Sequence, residues 1–195
     1  MDALRLFGEF LRMPGSVGAV VPSSSQLAEL ITEAAGVAQA SVVVELGPGT
    51  GAFTSAIQRK LRPGATFLAI EANESFVEVL RQRHPGLPVY HDCAQHIRRC
   101  LEASGHAQCD CVVSGLPFTA FSGRMQDDLL TAVNGVLAPG GRLVTFAYLG
   151  GRLLPGGRRF RRRRLAEFPE VTTTPTVWLN LPPAFVYRAV KSTAR

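Results

Sequence analysis

The stretch "VELGPGTGAF", residues 44–53, decides how this chain is read. The apolar run "SVVVEL" leads into a turn with glycine at positions 47, 49 and 51, and a helix-like pattern follows. A strand, a glycine turn and a helix suit a nucleotide-like ligand, because glycines allow close backbone approach and the helix start presents free N–H groups. Read as Gly47-x-Gly49-x-x-Ala52, the turn also satisfies the dinucleotide pattern. Glu45 discriminates between the two ligands. It stands two residues before the first glycine, where its carboxylate would repel a pyrophosphate and favour a cofactor bearing a sulfonium and an amino group.

Outward from this turn, strand and helix alternate. Strand "SVVVEL", a helix over 51–61, strand "TFLAIE", a helix over 74–83, strand "PVYHD" and a helix over 94–103 come first. Strand "DCVVSGL", a helix over 124–137 and strand "GRLVTFAYL" follow. Buried runs of Val, Leu and Ile separated by helices predict an α/β, doubly wound, mostly parallel sheet with helices on both faces. The closing stretch "TVWLNLPPAFVYRAV", 176–190, holds two strand-like runs joined by Pro-Pro, too short a link for a crossover, so it predicts a C-terminal antiparallel hairpin.

Two further acids stand at strand ends. Glu71, 20 residues after Gly51, is placed to accept hydrogen bonds from ribose hydroxyls, and Asp92, at the end of the third strand, to reach an adenine amino group. Each acid also has a structural reading: an ion pair for Glu45, a helix cap for Glu71 or Asp92. Three acids at successive strand ends beside a glycine turn point to S-adenosylmethionine. Gly47, Gly49, Gly51, Asn73, Cys93 and Ser114 complete the expected cofactor set. Ser23 and Ser24 are candidates to close over the cofactor carboxylate or a lipid phosphate, with helix capping as the alternative.

At 195 residues the chain is expected to form a single domain, residues 1–195, with a helical N-terminal segment over 1–40, membrane-binding or a lid, and a catalytic core over 41–195. Residues 2–13 form an amphipathic pattern, with Leu4, Leu6, Phe7, Phe10, Leu11 and Met13 on one side. The Ser run before Gln26 and Gly36 bound a second helix. No apolar run approaches the length of a bilayer span, and charges interrupt the first residues, so a cytoplasmic location is expected. Cys93, Cys100, Cys109 and Cys111 are expected to be reduced structural thiols and no metal is assigned. The net charge of +6 rests almost wholly on arginine, whose planar fork suits phosphate, so both nucleic acid and lipid remain open as partners.

The motifs carry a resemblance. "VELGPGTGAF" looks like the first motif of class I S-adenosylmethionine-dependent methyltransferases, and "PGGRLVTF", 139–146, resembles their fifth-strand entry. That resemblance implies a seven-stranded sheet whose seventh strand is antiparallel. "VVSGLPF", 112–118, resembles in outline the Asn-Leu-Pro-Tyr of rRNA adenine dimethylases but lacks the amide and the tyrosine ring, which argues against base methylation. "VGAVVPSSSQLA" (17–28), "VVSGLPF" and "NLPPAFVYR" (180–188) resemble bacterial phospholipid N-methyltransferases, whose members methylate phosphatidylethanolamine toward phosphatidylcholine. Relatives that methylate ornithine lipids share these motifs. An RNA or protein methyltransferase, and a basic lipid- or RNA-binding protein with a vestigial cofactor site, are the competing readings.

Under the lipid reading, Tyr148 and the carbonyls of Gly115 or Leu116 are the candidates to hold the acceptor amine. His91 is read as structural. Independently of the resemblance, the amphipathic pattern and the arginines lead to the expectation of a monomer on the inner face of the cell membrane, held through Leu4, Phe7, Phe10, Leu11 and the Arg158–Arg164 run, with no nucleic-acid partner. Packing against the sheet is the alternative for the helix, and a solvated loop or RNA contact for the arginines.

Overall fold

The computed structural model describes residues 24–153, 156–161 and 168–193. The amphipathic stretch over 2–13, Ser23 and the arginines at 162–164 lie outside the described residues.

The first described helix, α1 (Ser25–Ala35), begins where the Ser run predicts. The Ser24 hydroxyl accepts from the Leu27 N–H, and Gly36 closes the other end in the left-handed region at φ 70. β1 (Val42–Leu46) and α2 (Ala52–Lys60) flank the glycine turn. β2 (Thr66–Glu71), α3 (Glu74–Arg83), β3 (Val89–His91), α4 (Ile97–Ala103), β4 (Cys109–Ser114), α5 (Gly123–Val136) and β5 (Leu137–Tyr148) continue the alternation. β6 (Glu170–Thr173) and β7 (Ala184–Val190) complete a seven-stranded sheet in the order β3-β2-β1-β4-β5-β7-β6. β1 to β5 pair in parallel, and β7 runs antiparallel to both β5 and β6.

Period-two alternation sorts the strands between two faces. Val42, Val44 and Leu46 of β1 pack with Leu68, Ile70, Val112 and residues of α4 and α5. Val43 packs on the other face with Phe53 and Ile57 of α2 and Leu27 and Ile31 of α1. Glu45 shares the parity of Val43 and so points beneath α2. Cys93, Cys100, Cys109 and Cys111 are free thiols, three of them buried. Burial pushes the Cys111 thiol up to about 12, which makes it an inert core group.

The C-terminal hairpin differs from the sequence reading. β7 pairs with Glu170–Thr173, upstream of the expected partner, while "TVWLNL" contributes one bridge, Val177 to Ala184. The reason lies in the prolines: Pro175, Pro182 and Pro183 lack N–H donors and interrupt any continuous ladder over this stretch. Residues 174–183 therefore form the connection, and Trp178, Leu179 and Leu181 stand exposed on it.

The arginine run also departs from a plain basic segment. Residues 156–161 form a helical turn, and Phe160 within it is 2% exposed, with its ring 4.7 Å from Phe118 and 5.5 Å from Tyr187. The single aromatic among the arginines anchors the turn to the core, leaving Arg158, Arg159 and Arg161 at the surface. Among the described residues no helix is long and apolar enough to cross a membrane.

Candidate functional site

The strand order reverses between β1 and β4, and the carboxyl ends of these strands form the topological switch point at which open parallel sheets bind ligands. The loops leaving the two strands touch. The Gly115 N–H donates to the Leu46 carbonyl at 2.8 Å, and a Cβ on Gly115 would stand 2.4 Å from the Gly47 carbonyl oxygen. Gly47 itself lies at φ 63 against the Leu116 side chain. By contrast, nothing lies within 4 Å of where a Cβ on Gly49 would stand, at φ 57. The turn is thus packed at Gly47 and open at Gly49, and Gly51 leads into α2 as its N-cap.

Glu45 is fully buried under this turn. Its Oε2 accepts from the Thr54 hydroxyl of α2 at 2.7 Å, whereas Oε1 has no hydrogen-bond partner. Burial, reinforced by the charge of Glu71, pushes its carboxyl up to about 8 against the opposing Thr54 bonds. Glu71, 1% exposed, ties the turn to β2: it accepts from the Gly49 N–H at 3.0 Å and the Asn73 N–H at 2.8 Å. Burial raises its pKa also, and the backbone donors offset part of that rise.

Asn73 caps α3, its side chain accepting from the Phe76 N–H, so it serves the helix as well as Glu71. Asp92 is more occupied than its strand-end position suggests. Oδ1 accepts from the Cys93 N–H at 2.8 Å and meets His96 at 2.7 Å, while Oδ2 pairs with Arg99. Burial opposes its ionisation, but these partners hold the carboxyl at about 2. Its backbone N–H donates to the Glu71 carbonyl, which keeps the ends of β2 and β3 together. His91 is exposed, with Nε2 3.2 Å from the Ala72 carbonyl.

On the acceptor side, the buried Ser114 hydroxyl accepts from the Leu116 N–H at 3.2 Å, and the Leu116 carbonyl accepts from the Phe118 N–H. Leu116 therefore serves the local turn, leaving Gly115 the better carbonyl candidate of the two. Tyr148, half-buried at the end of β5, packs edge-on against Phe146, which packs edge-on against Phe53. Burial raises the Tyr148 pKa, so the phenol stays protonated through neutral pH. Ser24 caps α1, and its own N–H donates to Asn180 Oδ1 at 3.0 Å.

Three residues that the sequence reading passed over hold this arrangement. Thr54 partners Glu45, and its place as the third residue of the turn-following helix is a signal visible only once Glu45 is known to point inward. Gln126, fully buried in α5, donates to the carbonyls of Phe118 and Gly156, at 2.6 and 3.2 Å, joining the post-β4 loop to the arginine-bearing turn. Asn180 joins the exposed 174–183 connection to the start of α1.

A family model described as "Methyltransferase domain" matches residues 44–143. The ornithine lipid N-methyltransferase of Singulisphaera acidiphila is 33% identical over 197 residues, covering 97% of each chain. The ribosomal RNA small subunit methyltransferase A of Thermotoga petrophila is 29% identical over 118 residues, 60% of this chain and 42% of that protein. Among solved structures, the fold is similar to the O-methyltransferase TomG from Streptomyces achromogenes in complex with SAM. Its TM-score is 0.70, at 21% identity, covering 98% of this chain and 91% of that one. It is also similar to the O-methyltransferase from Bacillus cereus in complex with SAH, with TM-score 0.68 at 16% identity, covering 98% of this chain and 92% of that one.

Proposed function

We propose that this chain, which belongs to the class I S-adenosylmethionine-dependent methyltransferases, methylates the primary amine of a lipid headgroup. The observation that carries the lipid reading is the similarity to the ornithine lipid enzyme along almost the whole of both chains. The ribosomal RNA relative matches over a smaller share, and "SGLPF" lacks the amide and tyrosine of the adenine dimethylase motif. An ornithine lipid is the first headgroup proposed. Phosphatidylethanolamine is the second, on the strength of "VVSGLPF" and "NLPPAFVYR".

The cofactor fits the residues present. Glu45 Oε1 is a buried carboxyl oxygen lacking a partner, and a group that donates N–H, or a cation once the carboxyl has released its proton, satisfies it. The open side of the turn at Gly49 leaves room for a ligand against the backbone. S-adenosylmethionine, when bound, supplies an electrophilic methyl on a sulfonium. Glu45 and the turn at Gly47, Gly49 and Gly51 would hold its amino-acid end. Glu71 would use its remaining lone pairs on the ribose, and Asn73, Asp92, Cys93 and Ser114 would frame the rest.

The chain's own part in the reaction is positioning. Edge-on contacts from Phe53 to Phe146 and from Phe146 to Tyr148 fix the Tyr148 ring; its protonated hydroxyl would orient the amine and its face would take a methylated ammonium. The Gly115 carbonyl is the second amine acceptor. The amine must shed a proton before it can attack, and a half-buried surround favours its neutral form.

The test is methyl transfer from labelled S-adenosylmethionine to vesicles containing ornithine lipid or phosphatidylethanolamine, with structured RNA in parallel. Label is expected in the lipid fraction; label in RNA alone would overturn the reading. For the cofactor, Glu71→Ala is expected to weaken binding about ten-fold, as two charge-assisted contacts are lost and the turn loosens. Equilibrium titration checks this, and unchanged affinity removes Glu71 from the site.

A further inference from the structure

Among the described residues, the large hydrophobic side chains that stand exposed are Leu149, Trp178, Leu179 and Leu181. They gather at one place in the fold. Leu149 follows the carboxyl end of β5, and its N–H donates to the Pro183 carbonyl. The other three lie on the 174–183 connection, which delivers the chain to Ala184, paired with Tyr148. The patch therefore sits at the end of the sheet where β1, β4 and β5 terminate, the end that carries the glycine turn, Gly115 and Tyr148.

The connection is built with its polarity inverted. Asn180 is 4% exposed, while Leu179 and Leu181 on either side are 75% and 66% exposed and Trp178 is 68% exposed. The Asn180 amide is spent inward: Oδ1 accepts from the Ser24 N–H, Nδ2 donates to the Pro182 carbonyl, and its backbone N–H donates to the Val177 carbonyl. Ordinary folding buries leucine and solvates asparagine. Here the polar side chain is the anchor that holds three apolar ones outward, so their exposure is constructed rather than left over.

We infer that the Trp178–Leu181 tip is a membrane-docking loop that inserts into the interfacial layer of a bilayer and so presents the lipid headgroup to the site beside Tyr148. This deepens the lipid reading above and rests on it. A tryptophan flanked by leucines suits the boundary between headgroups and acyl chains, where an amphipathic ring is at home. The chain's charge of +6 complements an anionic bilayer, and the tip from Val177 to Pro183 carries no acidic residue to oppose it. An enzyme whose substrate stays in the bilayer must bring its site to that surface, and the loop joins the sheet where Ala184 pairs with Tyr148.

Trp178 is the single tryptophan of the chain, so its fluorescence reports on the loop alone. The full-length protein is titrated with vesicles of phosphatidylcholine and phosphatidylglycerol, lipids that carry no primary amine, made with and without brominated acyl chains. A blue shift on binding and quenching by the brominated chains are expected. The variant Trp178→Ser/Leu179→Ser/Leu181→Ser, with its unchanged melting temperature as the control for folding, is expected to lose about ten-fold in vesicle binding. It should lose a similar factor in transfer to bilayer aminolipid, while transfer to a short-chain aminolipid dispersed as monomers stays within about two-fold of the parent.

Emission that brominated lipid leaves unchanged overturns the proposal. So does emission that shifts with protein concentration alone, which would assign the patch to a second copy, and so does emission already blue-shifted and indifferent to vesicles, which would assign it to another segment of this chain. The two readings fail separately. Quenching without any lipid methylation would overturn the proposed function and leave the docking loop, whereas lipid methylation with an unquenched Trp178 would do the reverse.

Discussion

Replacing Glu45 with glutamine is expected to weaken cofactor binding about 10- to 100-fold, the range for losing a hydrogen-bonded contact between charged groups in a buried site. It should also remove a pH dependence that the parent carries. Glu45 is fully buried with one oxygen unpartnered, and burial lifts its carboxyl from the ordinary 4.5 to about 8. A raised acid favours folding in its protonated form. Its contribution to the stability of the cofactor-free protein is therefore fully present below pH 4.5 and lost as pH rises through about 8. Urea unfolding across that window should show stability falling in the parent and a flatter course in Glu45→Gln.

Binding runs the other way. A cation settling beside Glu45 needs the carboxylate, so below pH 8 the site must release a proton to take its ligand, and affinity rises with pH until about 8. Titrating the parent and Glu45→Gln in the same buffers cancels any ionisation of the ligand itself. A pH slope that survives unchanged in the variant would show that Glu45 takes no part in binding.

The second large effect is expected from Gly115→Ala. The added methyl would stand 2.4 Å from the Gly47 carbonyl oxygen, a distance no real Cβ tolerates, and the atom it meets is backbone. The loops after β1 and β4 must then separate, which displaces both the cofactor turn and the Gly115 carbonyl. A loss of roughly 2 kcal/mol in stability and about 100-fold or more in methyl transfer is expected, since displacements near 1 Å in a positioned site carry costs of that size. Gly49→Ala provides the contrast. Its methyl meets nothing within 4 Å, so the fold loses only the torsional cost of φ 57, about 1 kcal/mol, while the methyl projects into the open side of the turn and lowers cofactor affinity. Equal losses of stability in the two variants would show that the loops do not bear on one another as described.

Much of this architecture was legible in the sequence because it is local. The alternation of apolar runs with helical stretches placed β1 to β5 and the helices between them within a few residues of their observed bounds, and Ser24 and Gly36 marked both ends of α1. The C-terminal strand pairing was misread because propensity favoured "TVWLNL", while the choice between it and "EVTT" depended on which stretch could complete a ladder free of prolines. For the candidate site, the residue types were legible and their arrangement was not. That Glu45, Glu71 and Asp92 stand at strand ends follows from strand length; that Glu45 is sealed beneath Thr54 and Asp92 is engaged by His96 and Arg99 follows from neighbours distant in the chain or on another element.

By itself the sequence determined the doubly wound frame, the glycine turn and the acidic residues at the strand ends beside it. These depend on residue identity and short-range periodicity, which any chain segment carries with it. Only the tertiary structure decided that Gly115 must be glycine to let two loops touch and that Phe160 anchors an arginine-rich turn. It likewise decided that a buried asparagine holds a tryptophan and two leucines outward beside the carboxyl end of β5. Those are consequences of burial and contact between segments far apart in sequence, and burial is a property of the folded whole.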